Sequence, residues 1–583
     1  MNRRQFAHRL GLAVGTALLP KRRLVATTTG SEYLRASASR KLLDVNSRNV
    51  QDAAKMGCQN MGRIFDADNQ NLPYGVAPLY PRAAFGLAEF SEPQIPGRHL
   101  TALLAAEAHM GLSVDGVTVK RHEQTAYMSY SGPVALPLSC EVPQIDLFDV
   151  SQIQRVHPAR LTRFQPVHIA HGFNALYALV AYRSSSRAHE IAESSIRACL
   201  ALWNPVTGWN REKIEGALGL KYSDAWEEPF IAGIAMSVGP LARYYAVTKS
   251  SAALELALLI KEKLIGEYFL PDGDYDQRRI GAHTQNVVYT LASLAWLATE
   301  THDATLMERV RAFYENGVRR DLSNIFGWSP EHAGPSTAGP FFQQSAHPDR
   351  GEAGNTALIL ETAILLARWG HTEYFADAEA ILRGYLLPSQ IRDVSFISES
   401  ANPRGYDRLR QVGARMQGSW GYSAPYGLLP VGVPLVFTTV EVVGVVVRSL
   451  VESYLDMTRF DGSHHVVNML FDHETADIKV DSPYTTGELR LTLKKPGSVR
   501  VRIPSWVNAS DLLVNGKGGG ARLADGYLEI GRSPPGVLSI SFPLISRDVT
   551  LTWRDRKIRC RLRGDEAIAM ESFGTDLTFF DPL

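Results

Sequence analysis

The chain has 583 residues, 45% of them hydrophobic and 21% charged, the make-up of a soluble globular protein with length for about three to four domain-sized units. Lys and Arg number 61 against 60 Asp and Glu, a formal net charge of +1 that offers no electrostatic footing for a nucleic-acid or acidic-membrane partner. The four cysteines, Cys58, Cys140, Cys199 and Cys560, form no Cys-x-x-Cys pair, which argues against a disulfide framework and against a cysteine-based zinc site and leaves buried free thiols as the expectation.

In chain order, Asn2-Arg3-Arg4-Gln5-Phe6 precedes a short apolar run, Leu10 to Leu19, too short to span a bilayer. This pattern reads as a twin-arginine export signal over residues 1–30, with a periplasmic or secreted destination and no other membrane contact. From residue 31 to 461 the periodicity is mainly helical. Four segments share one layout, an apolar helix, a polar turn and a second amphipathic helix: 175–182 with 189–201, 241–247 with 252–264, 291–298 with 306–318, and 360–368 with 374–386. Further helical stretches fit 40–65, 99–110 and 440–457, giving about six antiparallel pairs, the number that closes an (α/α)6 toroid. Long Gly- and Pro-rich loops at 204–216, 271–281, 328–351 and 419–434 are of the length that usually carries function. Asp272, Asp274 and Asp276 alternate like the start of a calcium loop, but Gln277 and His283 stand where that loop needs Gly and Glu, so the segment reads as a turn. After about residue 462 the period shortens to alternation at 466–471, 488–494, 499–503, 527–530, 537–542 and 558–563, with Asn515-Gly516 and Asp525-Gly526 as hairpin turns. The fold class is therefore mainly α with β: a toroid over 31–461 followed by a β-sandwich over 462–583.

The series Val501-Arg-Ile-Pro-Ser-Trp-Val507, Val514-Asn515-Gly516 and Asp525-Gly526-Tyr527-Leu528 resembles the sandwich of the β-L-arabinofuranosidases of glycoside hydrolase family 127. Ala282-His283-Thr284-Gln285, Glu227–Phe230 and Arg350–Thr356 resemble the family's segments at the mouth of the toroid, so the likeness covers most of the chain. The resemblance implies retaining hydrolysis by a zinc-bound cysteine thiolate, with one glutamate and three cysteines on the metal and a second glutamate as acid/base. Glu352 matches the glutamate ligand, but Gly354 stands at the first cysteine, and the stretch 438–446, Thr-Thr-Val-Glu-Val-Val-Gly-Val-Val, holds no cysteine pair. One glutamate cannot hold a zinc ion, so no metal and no cofactor are expected, and the thiolate route is closed.

Hydrolysis of a glycoside ordinarily needs only two carboxyl groups. Three candidates follow. Glu331, matching the family's acid/base, lies in Gly-Trp-Ser-Pro-Glu-His, where desolvation beside Trp328 and His332 would raise its pKa toward that of a proton donor. Glu352, without zinc, is available as base or nucleophile. Glu441, in the register that anchors the last helix on Arg448 and Leu450, falls where a family cysteine would be. For Glu352 and Glu441 the plain structural alternative is an acid stabilised at a helix N-terminus. His283 and Gln285, His168 and His171, Glu227 and Trp328 are the candidate sugar-binding residues, with core or rim positions as their alternative. The expected partner is an oligo- or polysaccharide. Two rival readings stay open: a polysaccharide lyase drawing its base from Tyr222, Tyr406, Tyr422, Tyr426 or His283, and a glycan-binding protein without catalysis.

Overall fold

A computed structural model describes residues 40–140, 161–224, 228–281, 283–332, 349–431, 436–518, 522–553 and 556–583. The segment read as an export signal and Glu227 lie outside the described residues. Twelve of the described helices alternate along the chain: α1 (Val50–Met61), α2 (Ile95–Met110), α3 (Gly116–Ser129), α4 (Ile169–Arg183), α5 (Ser186–Leu202), α6 (Val238–Thr248), α7 (Ser251–Glu267), α8 (Thr284–Thr301), α9 (Ala304–Phe313), α10 (Ala353–Trp369), α11 (Tyr374–Ile381) and α12 (Val442–Asp456). The even-numbered helices pack in a closed cycle, α2 on α4, α4 on α6, α6 on α8, α8 on α10, α10 on α12 and α12 back on α2. The odd-numbered helices pack outside them, each against an even-numbered neighbour.

Local chemistry dictates the hairpins. The first three polar turns are two-residue joints, Ser184-Ser185, Lys249-Ser250 and His302-Asp303. A residue in the left-handed region ends the inner helix (Ser184, φ 50°; Lys249, φ 59°; His302, φ 53°), and the next side chain caps the outer one. Ser185, Ser250 and Asp303 accept from the backbone N–H of Ala188, Ala253 and Leu306. At their opposite ends the inner helices begin without a side-chain cap: Gln94, His168, Ser237, His283, Glu352 and Glu441 occupy or lead into those starts, and none caps its own helix. The expectation of a helix from residue 40 is corrected to α1 alone, because Asn49 accepts from Asp52 N and fixes the start there. The segments that precede α2 and α12 are joined by the antiparallel pair Val76–Tyr80 and Val436–Thr439, which delivers α12 to the side of α2.

Two five-stranded sheets follow. One runs Thr458–Phe460, His464–Val467, Gly497–Arg502, Tyr527–Ser533, Arg522–Ala524; the other His473–Glu474, Ile478–Asp481, Leu489–Leu493, Gly536–Ser541, Leu513–Val514. Alternate residues such as Leu489, Leu491, Val499 and Val501 fill the core between them. Both hairpin signals hold: Asn515-Gly516 (φ 49° and 73°) and Asp525-Gly526 (φ 50° and 77°) take positive φ at both central positions, as a type I′ turn requires. A third sheet, Ser546–Trp553, Arg556–Arg563 and Glu566–Met570, sends Leu551, Ile558, Cys560 and Leu562 into the apolar cluster that holds Tyr74, Phe85, Trp328 and Tyr385. A buried ion network ties α11 to the sandwich. Arg383, in the helical turn that continues α11, donates to Glu379 Oε1 (3.1 Å), Leu470 O (2.7 Å) and Ser47 O (3.2 Å). Its guanidinium lies 3.8 Å from the ring centres of both Phe471 and Tyr484, while Arg502 donates to Glu379 Oε2. Among the described residues no helix is long and apolar enough to cross a membrane.

Candidate active site

The uncapped starts of the inner helices converge on one mouth, and the candidate residues are what stands there. Arg98, in the first turn of α2, is the hub: its Nη2 donates to Gln285 Oε1 of α8 at 2.9 Å and lies 3.4 Å from His171 Nε2 of α4, and its Nη1 is 4.0 Å from Glu441 Oε1 at the start of α12. Gln285 Nε2 in turn donates to Glu352 Oε1 at the start of α10. Close helix approach makes this possible: a Cβ on Gly97 would sit 1.9 Å from His171 O, so only glycine lets α2 lie this near α4.

The loop before α10 supplies the rest. Glu331 N donates to Arg350 O (3.1 Å) and Thr284 N to Glu331 O (3.0 Å), a short ladder that sets the Glu331 and Arg350 side chains over the starts of α8 and α10. Glu331 Oε2 is 3.9 Å from Arg350 Nε, and Glu331 Oε1 is 3.9 Å from His332 Nε2. The His283 and His332 rings meet edge to face with centres 5.3 Å apart, and Arg350 lies over the Tyr422 ring at 5.3 Å. Trp328 is 1% exposed and donates its indole N–H to Ser423 O at 3.0 Å, which makes it a strut beneath the loop rather than a face for a sugar ring.

Charges in this enclosure are unequal. Burial pushes the Glu352 carboxyl well above the usual carboxylate range; Arg98 opposes the shift, and Glu331 and Glu441 add to it. Burial also raises Glu441, with Arg98 pulling against it. The histidines go the other way. Burial, with Arg163 and Arg98 nearby, lowers His168 to about 3; burial beside Arg350 lowers His332 to about 4; His171 and His283 are held well below the ordinary imidazole value. Burial, with all three glutamates beside it, holds the Tyr422 hydroxyl far from ionisation.

Glu331, Glu352, Glu441, His171, His283 and Gln285 are thus brought together, with His168 one turn behind His171 and bonded to Gln165 (3.0 Å). Of the tyrosines named for a lyase, Tyr422 belongs to the mouth; Tyr222 bonds Asp224 and Tyr426 bonds Asp349. Asp274 N donates to Asp272 Oδ1, consistent with the turn read there. Arg98 and Arg350 were missed. The signal for Arg98 was a lone cation in the apolar run 95–106, a placement that a buried charge keeps only when it has partners.

The zinc site that the resemblance implies does not fit these residues. A Cβ on Gly354 would lie 2.7 Å from Glu352 Oε1 and 3.1 Å from Gln285 Nε2, so the space for a thiol is filled by the Gln285–Glu352 bond. All four cysteines are free and buried, and Cys58, Cys199 and Cys560 sit in α1, α5 and the last sheet. Among the described residues no cluster of three or more His, Cys, Asp or Glu side chains is arranged to hold a metal.

No family model matches the sequence, and no curated protein matches it. Solved structures do. One is a family 127 β-L-arabinofuranosidase from Geobacillus stearothermophilus T6, 14% identical, with a TM-score of 0.51 over 88% of this chain and 80% of that one. Another family 127 β-arabinofuranosidase is 15% identical, with a TM-score of 0.51 over 89% and 79%. At this identity the likeness speaks for architecture: the chain has the fold of the family 127 β-L-arabinofuranosidases, with a mouth whose side chains are its own.

Proposed function

We propose that the chain is a glycoside hydrolase on an (α/α)6 toroid with a C-terminal β-sandwich, cleaving a glycosidic bond with carboxyl groups and no metal. The observation that carries this reading is the meeting of Glu331, Glu352 and Glu441 at one mouth in unequal surroundings. Glu352 is the proton donor: it is buried, it accepts from the neutral Gln285 amide, and among the described residues no ion pair holds it as a carboxylate. Glu331 and Glu441 each face a cation, Arg350 and Arg98, and are the carboxylates that attack the anomeric carbon or activate water. This moves the donor role from Glu331, where the resemblance put it, to Glu352. In the step, the Glu352 proton passes to the glycosidic oxygen as the C–O bond breaks, and the carboxylate or its water forms the new bond at carbon.

A lyase needs a free cation for the substrate's carboxylate and a base. Arg98 and Arg350 already face carboxylates, and Tyr422 is held as the neutral phenol, which supports hydrolysis over elimination. The run Arg3-Arg4-Gln5-Phe6 supports action outside the cytoplasm; export that persists after both arginines become lysine would argue against it.

The test is turnover of nitrophenyl glycosides by the purified chain, with and without chelator. The panel includes the arabinofuranoside, the sugar that names both similar enzymes. Chelator-insensitive turnover is expected, with Glu352→Gln losing about 100-fold or more. Loss of turnover on chelation, ultraviolet-absorbing unsaturated products, or binding without turnover would each overturn the reading.

A further inference from the structure

Arg98 is 3% exposed, and a guanidinium can only donate. Two partners share its Nη2, Gln285 Oε1 at 2.9 Å and His171 Nε2 at 3.4 Å. The first contact fixes the flip of the Gln285 amide: its oxygen must face Arg98, so its NH2 must face Glu352. Because that NH2 donates to Glu352 Oε1, this oxygen is the acceptor of the carboxyl group. The second contact fixes His171 as the tautomer that carries its proton on Nδ1.

We propose that Arg98 is a positioning residue for the proton donor: it orients Gln285, and Gln285 marks Glu352 Oε1 as the carbonyl oxygen, so that the transferable proton sits on Oε2. This rests on the reading that Glu352 is the donor. The relay joins three inner helices, α2, α8 and α10, so the proton's place is set by how these helices pack rather than by a neighbour on the loop. The other titratable groups facing Glu352 are Glu331 on the loop, Glu441 at the start of α12, and the phenols Tyr422 and Tyr385.

The experiment uses the full chain and a sugar that the wild type turns over, presented as dinitrophenyl, nitrophenyl and phenyl glycosides. A dinitrophenolate leaves without help from an acid; a phenolate needs the proton. Gln285→Met and Arg98→Met are expected to lower kcat/KM on the phenyl glycoside by about 100-fold while changing the dinitrophenyl glycoside less than about threefold, the pattern also expected of Glu352→Gln. Arg98→Lys, which keeps a donor-only head, is expected to recover part of the loss. Gln285→Met leaves every charge in place and guards against an Arg98→Met chain that does not fold. Equal losses on all three glycosides in Gln285→Met would overturn the relay while leaving Glu352 as donor. Equal losses in Glu352→Gln would instead overturn the donor reading itself.

Discussion

Arg383→Met tests whether the helical ring and the sandwich stand as one body. The substitution keeps an apolar stem of similar reach and removes the guanidinium. Leu470 O and Ser47 O lose the Arg383 bonds, at 2.7 and 3.2 Å, Leu470 O keeping the Ser482 hydroxyl, and Glu379 loses a contact at 3.1 Å while keeping Arg502. Two carbonyls at about 1 kcal/mol each and one charge-assisted bond at about 2 kcal/mol give about 4 kcal/mol. The figure falls inside the range for breaking a buried ion pair from one side, about 3–5 kcal/mol. The loss of two ring contacts at 3.8 Å adds to it. In urea, with a slope of about 3 kcal/mol per M or steeper for a chain of this size, the midpoint is expected to fall by about 1 M. Far-ultraviolet circular dichroism and tryptophan fluorescence should follow it, and their transitions should separate as the sandwich loosens first. A midpoint within about 0.2 M of wild type would refute the reasoning, since it would mean the guanidinium is replaceable by apolar contact alone.

Three more outcomes follow. His99 and His168, lowered to about 3, and His332, lowered to about 4, stay neutral when folded but take up protons when unfolded. Their stability contribution is full above the unfolded imidazole pKa and is lost as pH falls from about 6.5 toward those values, at up to about 1.4 kcal/mol per pH unit each; a urea midpoint that stays flat between pH 6.5 and about 4.5 contradicts this. Glu352 has the opposite sign: held protonated in the folded chain, it loses stability as pH rises from the ordinary carboxylate range toward its raised value. Glu352→Gln should therefore unfold later than wild type at neutral pH while losing turnover, and an equal or lower midpoint there would count against a buried protonated acid. Gly354→Ala places a methyl 2.7 Å from Glu352 Oε1. Turnover should drop by about tenfold or more with stability nearly unchanged, because alanine gains about 1 kcal/mol of helix propensity in return; full activity would show that the carboxyl has room to move.

The helical ring was legible where apolar residues recur at helical spacing and a polar turn punctuates them. α3 escaped that reading because its buried face is Thr118, His122, Thr125 and Ser129 as much as Val119 and Tyr127, polar groups whose burial only neighbouring helices explain. The run 558–563 was legible by its alternation, but the cluster that Ile558, Cys560 and Leu562 face, shared with Trp328 and Tyr385, was not, because it is assembled from distant parts of the chain. The three glutamates were found through likeness to a family, not through periodicity, and Arg98 was not found at all. Its three partners lie on three separate segments, 73 to 343 positions away, a relation that no local pattern records.

The closure of the ring sets a condition on how the protein comes into being. His99 Nε2 meets Val440 O across 341 positions, and Arg98 meets Glu441 at the same seam. A nascent chain that has not yet yielded α12 has five of the six inner helices, with Arg98 lacking the Glu441 carboxylate. The mouth is therefore assembled last, by the segment made late, and a shortened product ending before residue 440 would carry most of the fold's mass without the seam that sets Glu441 beside Arg98.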